Sequence, residues 1–229
     1  MIRVVLLDLD DTVFDFLYAE AEALRSLLRF YGIEPTEQTV QRYSEINDAH
    51  WKRLERQELT RAEVQVGRFA QLFGELGVTV DPEEANVRYK AMIAKIQRYI
   101  DGAEEMLADL RAGGYRIYVV SNGSKSVQTG RLAIAGLTDF FDGVFLSEEL
   151  GVEKPDRRFF DACFRAAEVS SKDETIILGD SLTSDILGGI HAGIKTCWFN
   201  QRGKAPRADI VPDYEISHLS QFIPLLKTL

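Results

Sequence analysis

Short β-branched and apolar runs recur along this chain, separated by stretches whose apolar residues fall at helical spacing. The first run, Ile2-Arg3-Val4-Val5-Leu6-Leu7, ends in a cluster of acids. It has the pattern of a strand buried on both faces, as in a parallel sheet. Four more runs follow at Arg116 to Val120, Gly143 to Leu146, Thr175 to Leu178 and Lys195 to Phe199. Between them lie helical patterns at Ala103 to Ala112, Lys125 to Ala135, Arg157 to Glu168 and Thr183 to Ala192. Gly113-Gly114, Gly136 and Gly193 stand just past helix ends, where C-terminal caps favour glycine. Strands alternating with helices predict an α/β fold, a Rossmann-like doubly wound parallel sheet.

Residues 15–100 are patterned differently and carry no strand-like run. Leu17, Leu24, Leu27 or Leu28, and Tyr31 form one apolar stripe that Gly32 ends. Thr60-x-x-Glu63 is a capping box opening a helix that closes at Gly77. Asp81-Pro82-Glu83-Glu84 provides an N-cap, a first-turn proline and an N3 acid for another. The expected organisation is an α/β catalytic core of residues 1–14 and 101–229, with an inserted α-helical cap domain at 15–100.

Composition narrows the function. The 229 residues carry 36 Asp+Glu against 27 Lys+Arg, a formal net charge of −9. That balance argues against a nucleic acid polymer as partner, because such binding requires phosphates to be neutralised by Lys and Arg. No apolar run approaches the roughly 20 residues that span a bilayer, so no membrane partner is expected. The opening apolar run is too short for a signal-peptide core. Cys163 and Cys197, the only cysteines, form no CxxC pair and are expected in the core. A cytoplasmic protein is expected, as a monomer or small homo-oligomer.

The candidate chemistry lies just after the strands, where open α/β sheets bind ligands. Asp8-Leu9-Asp10-Asp11-Thr12 follows the first, Ser121-Asn122-Gly123 the second, and Lys154-Pro155 lies a short loop beyond the third. Gly179-Asp180-Ser181 follows the fourth, with Asp185 a little further on. Carboxylates crowded at one sheet edge raise one another's pKa unless a cation sits among them. Mg²⁺ suits such a site, since it takes hard oxygen ligands and is usually held by one or two carboxylates plus a substrate phosphate. A carboxylate can also attack phosphorus, splitting one slow hydrolysis into two faster steps. A lysine and a hydroxyl would hold the transferring oxygens. The pattern therefore points to phosphoryl transfer assisted by a divalent cation.

Asp8-x-Asp10-x-Thr12, Ser121, Lys154-Pro155 and Gly179-Asp180-x-x-x-x-Asp185 resemble the four ordered motifs of the haloacid dehalogenase (HAD) superfamily. The resemblance implies Asp8 as nucleophile and metal ligand. It implies Asp10 as general acid and base, with its backbone carbonyl on the metal. Ser121 and Asn122 would bind phosphate, as would Lys154, which would also hold Asp8. Asp180 would complete the Mg²⁺ site and Asp185 support it. Halide-removing members lack the second Asp, so the resemblance implies a phosphatase here.

Between Thr12 and Ser121 lie 108 residues, and between Ser121 and Lys154 only 32. This is similar to members with a helical cap after the first motif, whose lids close over a small phosphorylated metabolite. Phe14-Asp15-Phe16, Gly188-Gly189-Ile190-His191-Ala192-Gly193 and Cys197-Trp198-Phe199-Asn200 resemble bacterial pyrimidine 5′-nucleotidase-type phosphatases, which implies a nucleoside monophosphate as substrate.

In the cap, Asn47 interrupts the stripe Val40, Tyr43, Trp51, Leu54. Either Asn47 and Trp51 meet the substrate base, or Asn47 pairs with a neighbouring helix. Arg68 is expected exposed, or else reaching a phosphate. His50, His191 and His218 lack metal-ligand spacing, and Arg202-Gly203-Lys204 is expected to be a solvated loop. The alternatives left open are another phosphate ester such as phosphoglycolate, a sugar phosphomutase, and a receiver-like phosphoacceptor. The cap and Asp10 speak against the last.

Overall fold

The computed structural model describes residues 1–169 and 171–229. They divide into two compact units: residues 1–15, 99–125 and 135–229 form one, and residues 16–98 with 126–134 the other.

The first unit is built on six parallel strands. In chain order they are β1 (Val4–Leu7), β2 (Arg116–Ser121), β3 (Gly143–Leu146), β4 (Thr175–Gly179), β5 (Lys195–Phe199) and β6 (Tyr214–Ile216). Their order across the sheet is β3-β2-β1-β4-β5-β6, which places β1 in the middle. Leu7 lies beside Val119 of β2 and Leu178 of β4, so all three strands end at one edge of the sheet, β4 one residue and β2 two residues beyond β1. All four residues of β1 are buried, as two covered faces require. On one face Val4, Leu6, Val120 and Ile177 pack against Phe159, Phe160 and Cys163. Burying each phenylalanine contributes about 1.5–3 kcal/mol. Both cysteines are free and buried.

Two elements differ from expectation here. β6 was not foreseen, because Tyr214-Glu215-Ile216 is too short and too polar to stand out as an apolar run. The helix expected over Thr183 to Ala192 starts as a π-helical turn, Leu182–Ile186, and continues as a short α-helix, Leu187–Ala192. That helix lies very close to its surroundings: a Cβ at Gly188 would fall 2.5 Å from the Phe160 ring, and one at Gly189 2.6 Å from Thr196. Gly188 is thus explained by packing against the helix that carries Phe160, and Gly189 by packing onto β4 and β5.

The second unit contains α1 (Phe16–Phe30), α2 (Glu37–Glu55), α3 (Arg61–Leu76) and α4 (Pro82–Ile93). The Thr60 capping box forms, with Glu63 N–H donating to Thr60 Oγ1 and Thr60 N–H to Glu63. Asp81 caps α4 ahead of Pro82. On α1 the buried stripe is Ala19, Ala23, Leu24, Leu27 and Leu28; Leu17 is 39% exposed, against expectation.

Residues 126–134 also differ from expectation. The sequence reading places them with the sheet, yet they group with the helical unit. Gly130 accounts for the approach, since a Cβ there would lie 2.8 Å from the Ala94 carbonyl oxygen. Among the described residues, no helix is long and apolar enough to cross a membrane.

Candidate active site

The ends of β1, β2 and β4 bring charged side chains to one edge of the sheet. Asp8 continues β1, its N–H donating to Leu178 O. The chain then turns tightly, with Val13 and Phe14 N–H both donating to Leu9 O. Asp11 within this turn has φ 58°, a left-handed conformation that side-chain-bearing residues adopt rarely. Gln201 Nε2 donates to the Asp11 carbonyl at 3.2 Å, and Arg202 to the Asp11 carboxylate at 3.1 Å. Two residues of the loop after β5 therefore hold the strained position beside Asp10.

Lys154 sits at the centre, 1% exposed. Its Nζ donates to Asp8 Oδ1 at 2.8 Å, Asp185 Oδ1 at 2.6 Å and Val120 O at 2.6 Å, which uses all three ammonium protons. Burial opposes its charge, but Asp185 and Asp8 prevail and hold its pKa above the usual lysine range. Asn122 grips the same residue from behind: its Oδ1 accepts from Lys154 N–H at 2.9 Å and its Nδ2 donates to Lys154 O at 2.9 Å. The Asn122 side chain thus braces the lysine. Ser121 is buried, and its Oγ accepts from Gly123 N–H at 3.0 Å.

Asp185 projects from the π-helical turn after β4. Its second oxygen accepts from Ser181 N–H at 3.1 Å. A Cβ at Gly179 would lie 2.3 Å from that carboxylate, so only glycine leaves room for it. Asp180 is held by Trp198, whose Nε1 donates to the Asp180 carbonyl at 2.9 Å.

Asp8, Asp180 and Asp185 each offer a carboxylate oxygen, and these atoms lie within 4.8 Å of one another. Burial pushes the Asp180 carboxyl up to about 7, with Asp11 and Asp185 adding to the rise and Lys204 opposing it. Asp8 is likewise pushed well above the carboxylate range by burial; Lys154 opposes this, while Asp185 and Asp10 reinforce it. Negative charge in excess of its partners, presented by hard oxygens alone, fits a divalent cation such as Mg²⁺.

The loop Arg202-Gly203-Lys204 is exposed, as expected, and is also attached to the site through Arg202 on Asp11 and Lys204 on Asp180. These residues, with Trp198 and Gln201, were not foreseen. The run after β5 offers only a weak signal, and basic residues in loops are usually solvated.

Within the helical unit, Asn47 is buried in a chain of polar groups drawn from all four helices α1 to α4. It donates to Glu20 Oε1 at 2.7 Å, and its Oδ1 accepts from Arg68 Nη1 at 2.8 Å and Trp51 Nε1 at 3.0 Å. Arg68 Nη2 continues to Asn86 Oδ1 at 3.0 Å, with its guanidinium 4.9 Å from the centres of both the Phe69 and Tyr89 rings. Arg68 is 4% exposed, so neither of its expected settings is observed. Asn47 pairs with neighbouring helices, and the Trp51 N–H is engaged within its own helix.

Comparison with known proteins agrees with this arrangement. The family profile described as haloacid dehalogenase-like hydrolase matches residues 2–193. The HAD-hydrolase YfnB of Bacillus subtilis is 37% identical over 224 residues, covering 98% of this chain and 95% of that protein. Its magnesium-bound crystal structure superposes with a TM-score of 0.94, covering 98% of each chain. The pyrimidine 5′-nucleotidases PynA of Streptococcus pneumoniae and YjjG of Escherichia coli are 36% and 32% identical. These matches cover 93% of this chain and 90% of PynA, and 97% of this chain and 96% of YjjG. With four motifs at the ends of one parallel sheet and relatives that match nearly end to end, this chain belongs to the haloacid dehalogenase-like hydrolases.

Proposed function

We propose that this protein is a Mg²⁺-dependent phosphatase of small phosphate monoesters that works through an aspartyl-phosphate, and that its substrate is a pyrimidine nucleoside 5′-monophosphate. The observation that carries the reading is Asp8, gripped at 2.8 Å by a buried lysine inside a cluster of three carboxylates. A carboxylate so held has one oxygen fixed and the other directed, as in-line attack requires. The substrate class rests on PynA and YjjG, whose names describe pyrimidine 5′-nucleotidases.

In this mechanism the Asp8 oxygen not held by Lys154 attacks phosphorus and the ester oxygen departs. Asp10 protonates that leaving oxygen, then takes a proton from the water that attacks the aspartyl-phosphate, releasing phosphate and restoring Asp8. Ser121 holds a phosphoryl oxygen, and Lys154, braced by Asn122, holds Asp8 and sets its positive charge beside the transferring group. Asp8, Asp180 and the Asp10 carbonyl, supported by Asp185, would hold Mg²⁺, which offsets the charge of the transferring group when bound.

The test is phosphate release across nucleoside monophosphates, sugar phosphates and phosphoglycolate with Mg²⁺, using Asp8→Asn as control. Preference for UMP, dUMP or dTMP is expected. Release only from a non-nucleotide ester would overturn the substrate and keep the chemistry. Isomerisation without release would replace hydrolysis by a mutase reaction.

A further inference from the structure

Two lysines reach the carboxylates at the sheet edge, and they are held in opposite ways. Lys154 is 1% exposed and donates to three acceptors. Lys204 has a side chain 48% exposed, and its Nζ donates to Asp180 Oδ2 at 2.9 Å. Its backbone, by contrast, is anchored. Lys204 N–H donates to Asn200 Oδ1 at 2.7 Å, and Asn200 Nδ2 donates to Lys204 O at 3.0 Å. Asn200 is itself buried and also donates to Glu215 Oε1 at 2.7 Å. The result is a flexible cationic arm on a fixed root, resting on one of three carboxylates whose oxygens suit a divalent cation.

We propose that Lys204 is a tethered counter-cation of the metal site, occupying Asp180 when no metal is bound and displaced from it when a divalent cation enters. The inference rests on the metal reading above and adds to it a determinant of affinity. A partly buried carboxylate lacking a partner is costly, and the arm supplies that partner in the metal-free site. An exposed, four-carbon side chain can leave Asp180 for water at little cost. Lys154 cannot leave in this way, because all its donors are engaged and no water surrounds it. The two lysines therefore divide the work: one fixes the nucleophile permanently, the other sets how much divalent cation the site needs.

The experiment measures Mn²⁺ binding directly, by electron paramagnetic resonance and calorimetry, on wild type, Lys204→Met, Lys204→Arg and Asp180→Asn. Lys204→Met should bind Mn²⁺ about five- to tenfold more tightly, since a competing charge a few ångströms from the ion is removed in a half-screened setting. Lys204→Arg should stay near wild type, and Asp180→Asn should bind much more weakly. Metal-free Lys204→Met should melt lower than metal-free wild type, with the gap closing when Mg²⁺ is added. Unchanged or weaker Mn²⁺ binding in Lys204→Met would overturn the proposal, and weaker binding would make Lys204 an orienting group. Absence of Mn²⁺ binding in wild type would show the metal reading itself to be wrong, an outcome distinct from a failure confined to Lys204.

Discussion

Both units of this protein bury charged side chains, but those buried among α1 to α4 are matched and those at the sheet edge are not. Inside the helical unit one acid, Glu20, is joined to one base, Arg68, through Asn47, with Asn86 taking a further guanidinium proton. At the sheet edge Asp8, Asp10, Asp11, Asp180 and Asp185 are set against Lys154, Arg202 and Lys204. A matched network stabilises a particular helix packing, because removing any member leaves a buried group without its partner. An unmatched cluster does the reverse: its repulsion is tolerated by the surrounding fold and relieved by a ligand. Burial of charge alone therefore does not locate a site, whereas the sign left over does.

The contrast is broken most severely by Asp8→Asn, expected to lower kcat by about 10⁴-fold or more while the melting temperature holds or rises. Turnover near wild type would remove Asp8 as nucleophile. Next comes Asp10→Asn, which should cost roughly 10²–10⁴-fold, more for esters with poor leaving groups than for p-nitrophenyl phosphate. An equal loss on both substrates would place Asp10 outside proton transfer. The matched side is tested by Asn47→Ala, expected to destabilise the protein by about 2–4 kcal/mol in urea unfolding. A stability within a few tenths of a kcal/mol of wild type would mean that the network contributes nothing to the packing.

The smallest effect sharpens the comparison through pH. The Asp180 carboxyl stands at about 7 in the folded protein against 3.8 ordinarily. A carboxyl raised in this way takes up protons more readily folded than unfolded, so its contribution to stability is full below about 4 and is lost as pH rises towards about 7. Metal-free protein in EDTA should therefore melt a few degrees lower at pH 7.5 than at pH 5, and Mg²⁺ should raise melting more at the higher pH. A Mg²⁺ effect larger at pH 5 would contradict the sign.

Much of the sheet edge was legible because a parallel strand buried on both faces is nearly all apolar, so the polar residues after it stand out. Asp8, Asp10, Lys154, Asp180 and Asp185 all stand out in this way as candidates. The brace that the Asn122 side chain forms on Lys154 was not legible, because position along the chain says nothing of where an amide points. Lys204 and Arg202 escaped for a related reason. Loop basic residues are usually solvated, and only the return of the chain past β5 brings them to Asp180 and Asp11. β6 carried one exposed acid in three residues and so lacked the signal that marked the other strands. The Asn47 network depends on four helices meeting, which no single helix's periodicity reports.

The central place of β1 also bears on how the chain is made. Val4–Leu7 leaves the ribosome before the other strands of the sheet, yet its neighbours are residues 116–121 on one side and 175–179 on the other. At about 5–20 residues per second, the second neighbour follows the first strand by roughly 10 to 30 seconds. For that interval an apolar strand meant for the middle of a sheet has at least one open edge. The nascent chain is then most prone to pair wrongly, and slowing synthesis between residues 121 and 175 should lengthen the exposure.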